Sequence, residues 1–114
     1  MTISLNLDYA RKAEGVYYGD GSAMLAERIA RAAAKRTSPK GRAVAAYNAM
    51  RDFAAEIGCN PDRECFMREE NGGWRVSFEA GPYSWANVAS EALCQVGIFA
   101  EPYYSFDLCF YREC

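Results

Sequence analysis

The 114-residue sequence contains no histidine. Histidine is the usual general base of Ser–His and Cys–His catalytic pairs, and it supplies a ligand in most mixed zinc sites. A general base in this chain therefore has to be a carboxylate, an amine, a phenol or a thiolate. We expect the protein not to be an enzyme.

Cysteines are few and widely spaced, and no Cys-x-x-Cys pair occurs among Cys59, Cys65, Cys94, Cys109 and Cys114. Without histidine, this spacing is unlike that of a zinc site, so we expect neither a metal nor another cofactor. An odd number of cysteines fits free thiols in a reducing compartment. We interpret them as structural, with Cys94 in a helical apolar pattern and Cys109 in a strand-like one.

Long hydrophobic runs are also missing. No stretch approaches the roughly 18 consecutive apolar residues that span a bilayer. The first eight residues include neither a basic leader nor an apolar run, which predicts a cytoplasmic protein with no membrane partner. With 51% hydrophobic and 25% charged residues, the composition is that of one globular domain spanning residues 1–114.

Hydrophobic periodicity in the first half predicts one strand followed by helices. Strict alternation indicates a strand at residues 2–7, and Asp8 is a candidate cap for a short helix over residues 8–14. An alanine-rich helix is expected over residues 24–36, with Ser22 as its N-cap. Ser38 and Pro39 predict the start of the next helix, which ends before Gly58.

The second half favours strands. Asn71-Gly72-Gly73 predicts a hairpin over about residues 64–80, and Ser84 is expected to cap a helix that follows it. A final strand is expected over about residues 105–111, whereas the pattern leaves open whether residues 98–103 form another. The sequence thus predicts an α+β domain in which a small antiparallel sheet packs with three to four helices.

Charge is distributed unevenly along the chain, although the net charge is only −2. Residues 1–57 carry nine basic and six acidic side chains, whereas residues 58–114 carry four basic and nine acidic ones. Arg28, Arg31 and Lys35 share one face of the predicted helix, and Arg36 follows them. This basic edge is a candidate contact for a polyanion or an acidic protein, although a solvated helix face is the commoner role for such charges.

Aromatic residues are concentrated in the second half, with eleven of the sixteen between Phe66 and Tyr111. Tyr83, Tyr103 and Tyr104 lie beside prolines in predicted loops, and Glu79 and Glu101 flank them. These five residues, the aromatic–acidic patch, are a candidate protein-binding surface because carboxylates would repel phosphates. Tyrosine hydroxyls that reach solvent from a packed ring are an equally good interpretation.

Signals for catalysis are weak. Adjacent Glu69 and Glu70 in a strand point to opposite faces and cannot converge on one substrate. The corner at residues 79–85 would place a pocket at a helix N-terminus, although an aromatic plug is the commoner use of such a segment. No phosphate-binding glycine loop is present.

Three functions from different classes follow. The first is a non-enzymatic module that binds a larger protein or complex. By analogy of type alone, such small acidic chains include phage and mobile-element inhibitors of host complexes, anti-CRISPR proteins among them. The alternatives are a nucleic-acid-binding protein that uses the helix over residues 22–36, and a small ligand-binding protein or enzyme at the 79–85 corner. Exposed aromatics would serve a homodimer as well.

Overall fold

The computed structural model describes residues 5–7, 21–70 and 72–112. These residues confirm the predicted α+β class, with a helical layer packed on an antiparallel sheet. The helices are α1 (Gly21–Ala34), α2 (Pro39–Glu56), α3 (Pro61–Glu64) and α4 (Trp85–Gln95). The strands are β1 (Cys65–Glu70), β2 (Gly73–Phe78), β3 (Ala100–Tyr103) and β4 (Asp107–Tyr111).

The sheet has the order β1-β2-β4-β3, and every neighbouring pair is antiparallel. The predicted hairpin is confirmed, and the segment left open by the sequence contributes the edge strand β3. Strand β4 begins at Asp107 and not at residue 105, because Tyr104 and Ser105 adopt positive φ angles of 54° and 64° in the turn that joins β3 to β4.

The predicted strand over residues 2–7 is wrong for its described part, residues 5–7, which lie outside the sheet. The Asn6 amide donates to Gln95 Oε1 at 2.8 Å, and the Asn6 carbonyl accepts from Gln95 Nε2 at 3.0 Å. The side-chain amide of Gln95 thereby satisfies the backbone groups that a strand would otherwise pair. Residues 2–4 and the predicted helix over residues 8–14 lie outside the described residues.

Local signals set some helix ends and not others. Ser38 Oγ accepts from the Gly41 amide at 3.0 Å and caps α2 as predicted, and Gly58 follows that helix with φ 87°. Ser22 is not a cap, because α1 already begins at Gly21 and buries Ser22 in its first turn. Ser84 precedes α4 in a left-handed conformation (φ 54°), so its side chain makes no capping hydrogen bond.

The two faces of the sheet differ. One face buries Trp74, Val76 and Phe78 of β2 with Leu108 and Phe110 of β4. Helix α2 packs on β1, β2 and β4, and α1 lies between α2 and α4. The opposite face, called here the outer face, contributes no residue to this core cluster, so the helices described here lie on one side of the sheet.

Candidate functional site

The strand register places polar and aromatic side chains in rows across the outer face. Phe66, Ser77, Asp107 and Tyr103 form one row, and Arg68, Arg75, Cys109 and Glu101 form the next. Glu70 and Tyr111 lie beyond the second row. Because residues two apart on a strand share a face, the alternation that buries the core also assembles this surface.

Arg75 occupies the middle of the outer face. Its Nη2 lies 3.0 Å from Glu70 Oε2, and its Nη1 donates to Asp107 Oδ2 at 3.3 Å. The guanidinium also lies over the Tyr103 ring, 4.9 Å from the centroid. With only 18% of the side chain exposed, these partners compensate for much of the desolvation of the charge.

Two polar atoms at this centre lack a hydrogen-bond partner within the described residues, Arg75 Nε and Asp107 Oδ1. Asp107 is only 6% exposed. A buried acceptor without a donor costs about 1–3 kcal/mol. Asp107 Oδ1 is therefore a candidate position for a donor supplied by a ligand or partner.

The thiol of Cys109, next to Arg75 on the outer face, is shielded from solvent. Cys109 is buried on the outer face, between Arg75 and Glu101 in its row. Burial raises the pKa of the Cys109 thiol, although a hydrogen bond from Arg75 opposes the shift. The raised pKa disfavours the thiolate of Cys109, which is the nucleophilic form of cysteine.

A chain of hydroxyl groups joins β3 and β4. The hydroxyl oxygens of Tyr103 and Tyr111 are 2.7 Å apart, and the Tyr111 hydroxyl donates to Glu101 Oε2 at 2.7 Å. The hydrogen bond with Tyr103, then burial, then the bond with Glu101 raise the pKa of Tyr111 far above its ordinary value. Tyr103, for which the sequence left loop and strand open, is thus a half-buried strand residue.

Two shallow hollows open at the end of the outer face nearest the β3–β4 turn. The first, of about 250 Å³, is lined by Phe66, Arg68, Arg75, Ser77, Glu79, Phe106 and Asp107. The second, of about 200 Å³, is lined by Glu79, Gly81, Pro82, Tyr83, Ser84, Trp85, Ser105 and Phe106. Glu79 and Phe106 line both, so the hollows adjoin.

The predicted aromatic–acidic patch is divided by the structure. Tyr83 and Tyr104 are 64% and 77% exposed, and Tyr104 stacks on Phe106 with 6.0 Å between ring centroids. Glu79 is exposed beside Tyr83. Tyr103 and Glu101 belong instead to the hydroxyl chain farther along the outer face.

The predicted basic edge keeps only part of its charge free. Both Nη atoms of Arg28 bond the carboxylate of Glu56, and the Arg28 bond lowers the pKa of Glu56. Arg31 Nε lies 3.1 Å from Glu27 Oε1. Lys35 and Arg36 are exposed at the end of α1, and they are the part of the basic edge best placed to meet an anion.

The 79–85 corner is filled by an aromatic plug. Trp85 is buried, and its indole Nε1 donates to the Phe78 carbonyl at 2.8 Å. A Cβ atom at Gly81 would lie 2.7 Å from Trp85 Cδ1. The second hollow is lined by residues of this corner, Trp85 among them.

Sequence reasoning did not single out Arg75 or Phe66, which lie in the middle and at one end of the outer face, and it considered Asp107 only as an acid that flanks the exposed aromatics. A usable signal was present, since the alternation that buries Leu108 and Phe110 turns Asp107 and Cys109 to the other side. Locating Arg75 beside Asp107 also required the pairing of β2 with β4, which no local pattern provides.

Over the described ranges 5–7, 21–70 and 72–112, no group of three or more His, Cys, Asp or Glu side chains is arranged to hold a metal ion. None of the helices in those ranges is long and apolar enough to cross a membrane. Cys59, Cys65, Cys94 and Cys109 are free thiols. Cys94, interpreted as structural from its helical apolar pattern, is exposed.

Comparison of the chain with protein-family models, with curated proteins and with solved structures gave no match. The outer face and its hollows are therefore the basis on which a function can be proposed.

Proposed function

We propose that the protein is a non-enzymatic binding module that docks on a protein partner through the outer face. The observation that carries the proposal is the set of exposed aromatics around that face: Phe66 is 55% exposed, and Tyr83 and Tyr104 are more exposed still. Large exposed aromatic side chains are typical of the residues that dominate binding energy in protein interfaces.

Charge favours a protein over a nucleic acid as the partner of this face. Four acidic residues and two basic ones lie on the outer face and the adjoining loop: Glu70, Glu79, Glu101, Asp107, Arg68 and Arg75. Arg68 Nε lies 2.7 Å from Glu70 Oε1, and Arg75 is held by Glu70 and Asp107. The net negative charge would repel phosphates and would attract a basic protein surface.

An acidic and aromatic face suits occlusion of a basic site on a larger protein, such as one that binds nucleic acid. Inhibition of a host complex by a phage or mobile-element protein, as anti-CRISPR proteins do, is the role that fits by analogy of type. The free thiols favour action in a reducing cytoplasm.

The proposal is tested with Tyr83→Ala/Tyr104→Ala, since Tyr103 supports the fold through Tyr111. The matched control is Met24→Ala/Ile57→Ala, which removes exposed apolar side chains from the helical layer. A partner captured in the presence of nuclease is purified, and its affinity for each variant is measured by calorimetry. We expect the tyrosine variant to bind at least about 30-fold more weakly, as for interface hot spots. Equal affinities of the two variants for the partner would show that the interface lies elsewhere on the protein.

Nucleic-acid binding through the end of α1 is the second candidate, because Lys35 and Arg36 are exposed there. It predicts affinity for DNA or RNA that falls steeply with salt, since each phosphate contact releases counterions. Lys35→Glu/Arg36→Glu would abolish such binding, measured by fluorescence anisotropy at several salt concentrations. Binding that persists in this variant would exclude the basic edge as the site.

A further inference from the structure

The first hollow combines a buried acceptor with a solvent-exposed one. Asp107 Oδ1 lacks a donor and belongs to a side chain more than nine-tenths buried. Glu79 lines the same hollow and is exposed, and no hydrogen bond or ion pair of its carboxylate occurs within the described residues. Both groups accept hydrogen bonds, so a ligand that donates hydrogen bonds is favoured in this hollow.

Arg68 and Arg75 also line the hollow, but they do not make it favour an anion over a hydrogen-bond donor. Both Nη atoms of Arg75 face carboxylates, and Arg68 is paired with Glu70. Arg75 Nε has no hydrogen-bond partner within the described residues, but it is buried and offers a single N–H. An anion entering the hollow would have to displace those carboxylates while it approached Glu79 and Asp107. A cation meets acceptors that are already free.

We infer that this hollow receives the guanidinium group of an arginine side chain presented by the protein partner. The inference rests on the proposed function, since it specifies the chemistry of the partner at one point of the outer face. A planar guanidinium carries five donors in a fork, which is enough for both Glu79 and Asp107, the two carboxylates that line the hollow.

Shape and apolar lining favour arginine over a lysine or a larger ligand. Phe66 and Phe106 line the hollow, and a guanidinium stacks on aromatic rings more readily than an ammonium does. Pockets for drug-sized molecules enclose about 300–1,000 Å³. The hollow, at about 250 Å³, is suited to one side chain.

The test is a titration of the ¹⁵N-labelled full chain with N-acetyl-arginine amide, followed by amide chemical shifts. N-acetyl-citrulline amide is the uncharged isostere, and inorganic phosphate is the anionic probe. We expect saturable shifts at Phe66, Ser77, Glu79 and Asp107, with citrulline at least fivefold weaker. Glu79→Gln, at an exposed position, is expected to weaken arginine binding about fivefold. Glu91→Gln, the same change at an exposed position of α4, is expected to have no effect.

Equal shifts with citrulline, shifts that map elsewhere, or saturation by phosphate in place of arginine would overturn the inference. So would equal arginine affinities of Glu79→Gln and Glu91→Gln. Asp107→Asn adds a second variant, and its spectrum shows whether the fold is intact. If Tyr83→Ala/Tyr104→Ala loses partner binding but the wild type does not bind N-acetyl-arginine amide, the proposed function stands and this inference is refuted. If the wild type binds N-acetyl-arginine amide in the hollow but the tyrosine variant keeps full affinity for the partner, the proposed function is refuted and this binding site stands.

Discussion

Tyr103 donates its hydroxyl proton to Tyr111 across the β3–β4 pair. The two oxygens are 2.7 Å apart, and the single proton of Tyr111 is committed to Glu101. The proton between the two tyrosines therefore belongs to Tyr103. The direction of this chain gives Glu101 a partner and fixes the edge strand to its neighbour.

Replacing Tyr111 with Phe removes both hydrogen bonds and leaves Glu101 without its donor. We expect a loss of about 1–2 kcal/mol in the free energy of unfolding. Urea denaturation measures the loss, and Tyr104→Phe is the control, because the Tyr104 side chain is largely exposed. A change of equal size in both variants would contradict a special role for the hydroxyl chain.

The same network predicts a dependence on alkaline pH. The pKa of Tyr111 is raised in the folded protein, whereas an unfolded tyrosine titrates near about pH 10. The contribution of the Tyr111 hydrogen bonds to the free energy of unfolding is fully present below that pH. It declines above that pH, because only the unfolded chain then releases the tyrosine proton readily. The free energy of unfolding, measured from pH 8 to 11, should decrease more steeply with pH for the wild type than for Tyr111→Phe.

Thiol reactivity is expected to follow burial. Burial raises the pKa of Cys65 to about 11, and it also raises the pKa of Cys109, whereas Cys94 is exposed. The thiolate is the reactive species, so Cys65 should be alkylated by iodoacetamide at pH 8 about 100-fold more slowly than Cys94. Peptide mass spectrometry at successive times measures both rates. In urea the two rates should converge, and a difference that persisted there would have another cause.

Gly73 is required by the close pairing of β2 with β4. A Cβ atom at this position would overlap the carbonyl oxygen of Phe110, which is backbone and cannot rotate away. Gly73→Ala should lower stability by roughly 2–3 kcal/mol, a fall in Tm of roughly 10 °C. Thermal unfolding measures it, with Asn48→Ala on the exposed side of α2 as the control. An unchanged Tm would show that β2 and β4 can move apart at Gly73 with little loss of stability.

Arg75 should be essential for the stability of the outer face. Arg75→Met leaves the buried carboxylate of Asp107 without its cation and leaves Glu70 paired with Arg68 alone, which should cost about 3 kcal/mol. Adding Asp107→Asn should recover part of that loss in a double-mutant cycle. Arg68→Met, whose charge is largely exposed, should cost under about 1 kcal/mol. Losses that add without recovery would deny the coupling of Arg75 to Asp107.

Much of the fold follows from local signals. The Ser38–Pro39 start of α2 and the glycine hairpin between β1 and β2 depend on backbone preferences that neighbouring residues determine. The cap at Ser84 was mispredicted because the turn that places Trp85 over Phe78 holds Ser84 in a left-handed conformation. That constraint comes from packing, which a local pattern does not show.

The candidate site was only partly predictable. Exposure of Tyr83 and Tyr104 followed from their positions beside turns, but the burial of Tyr103 depends on pairing between β3 and β4. Arg75, as one charge in a strand, resembles any solvent-facing residue until β4 brings Asp107 beside it. Strand order therefore limits what the sequence alone can indicate about this surface.

Strands β2 and β4 each present the core on one side and the outer face on the other. The carboxylates around Arg75 are thus carried by backbone that the helical layer already holds in place. A surface of this kind is pre-organised, so docking on it would require little loss of conformational entropy. Its association rate should then be governed by diffusion and by the attraction between its carboxylates and a basic partner.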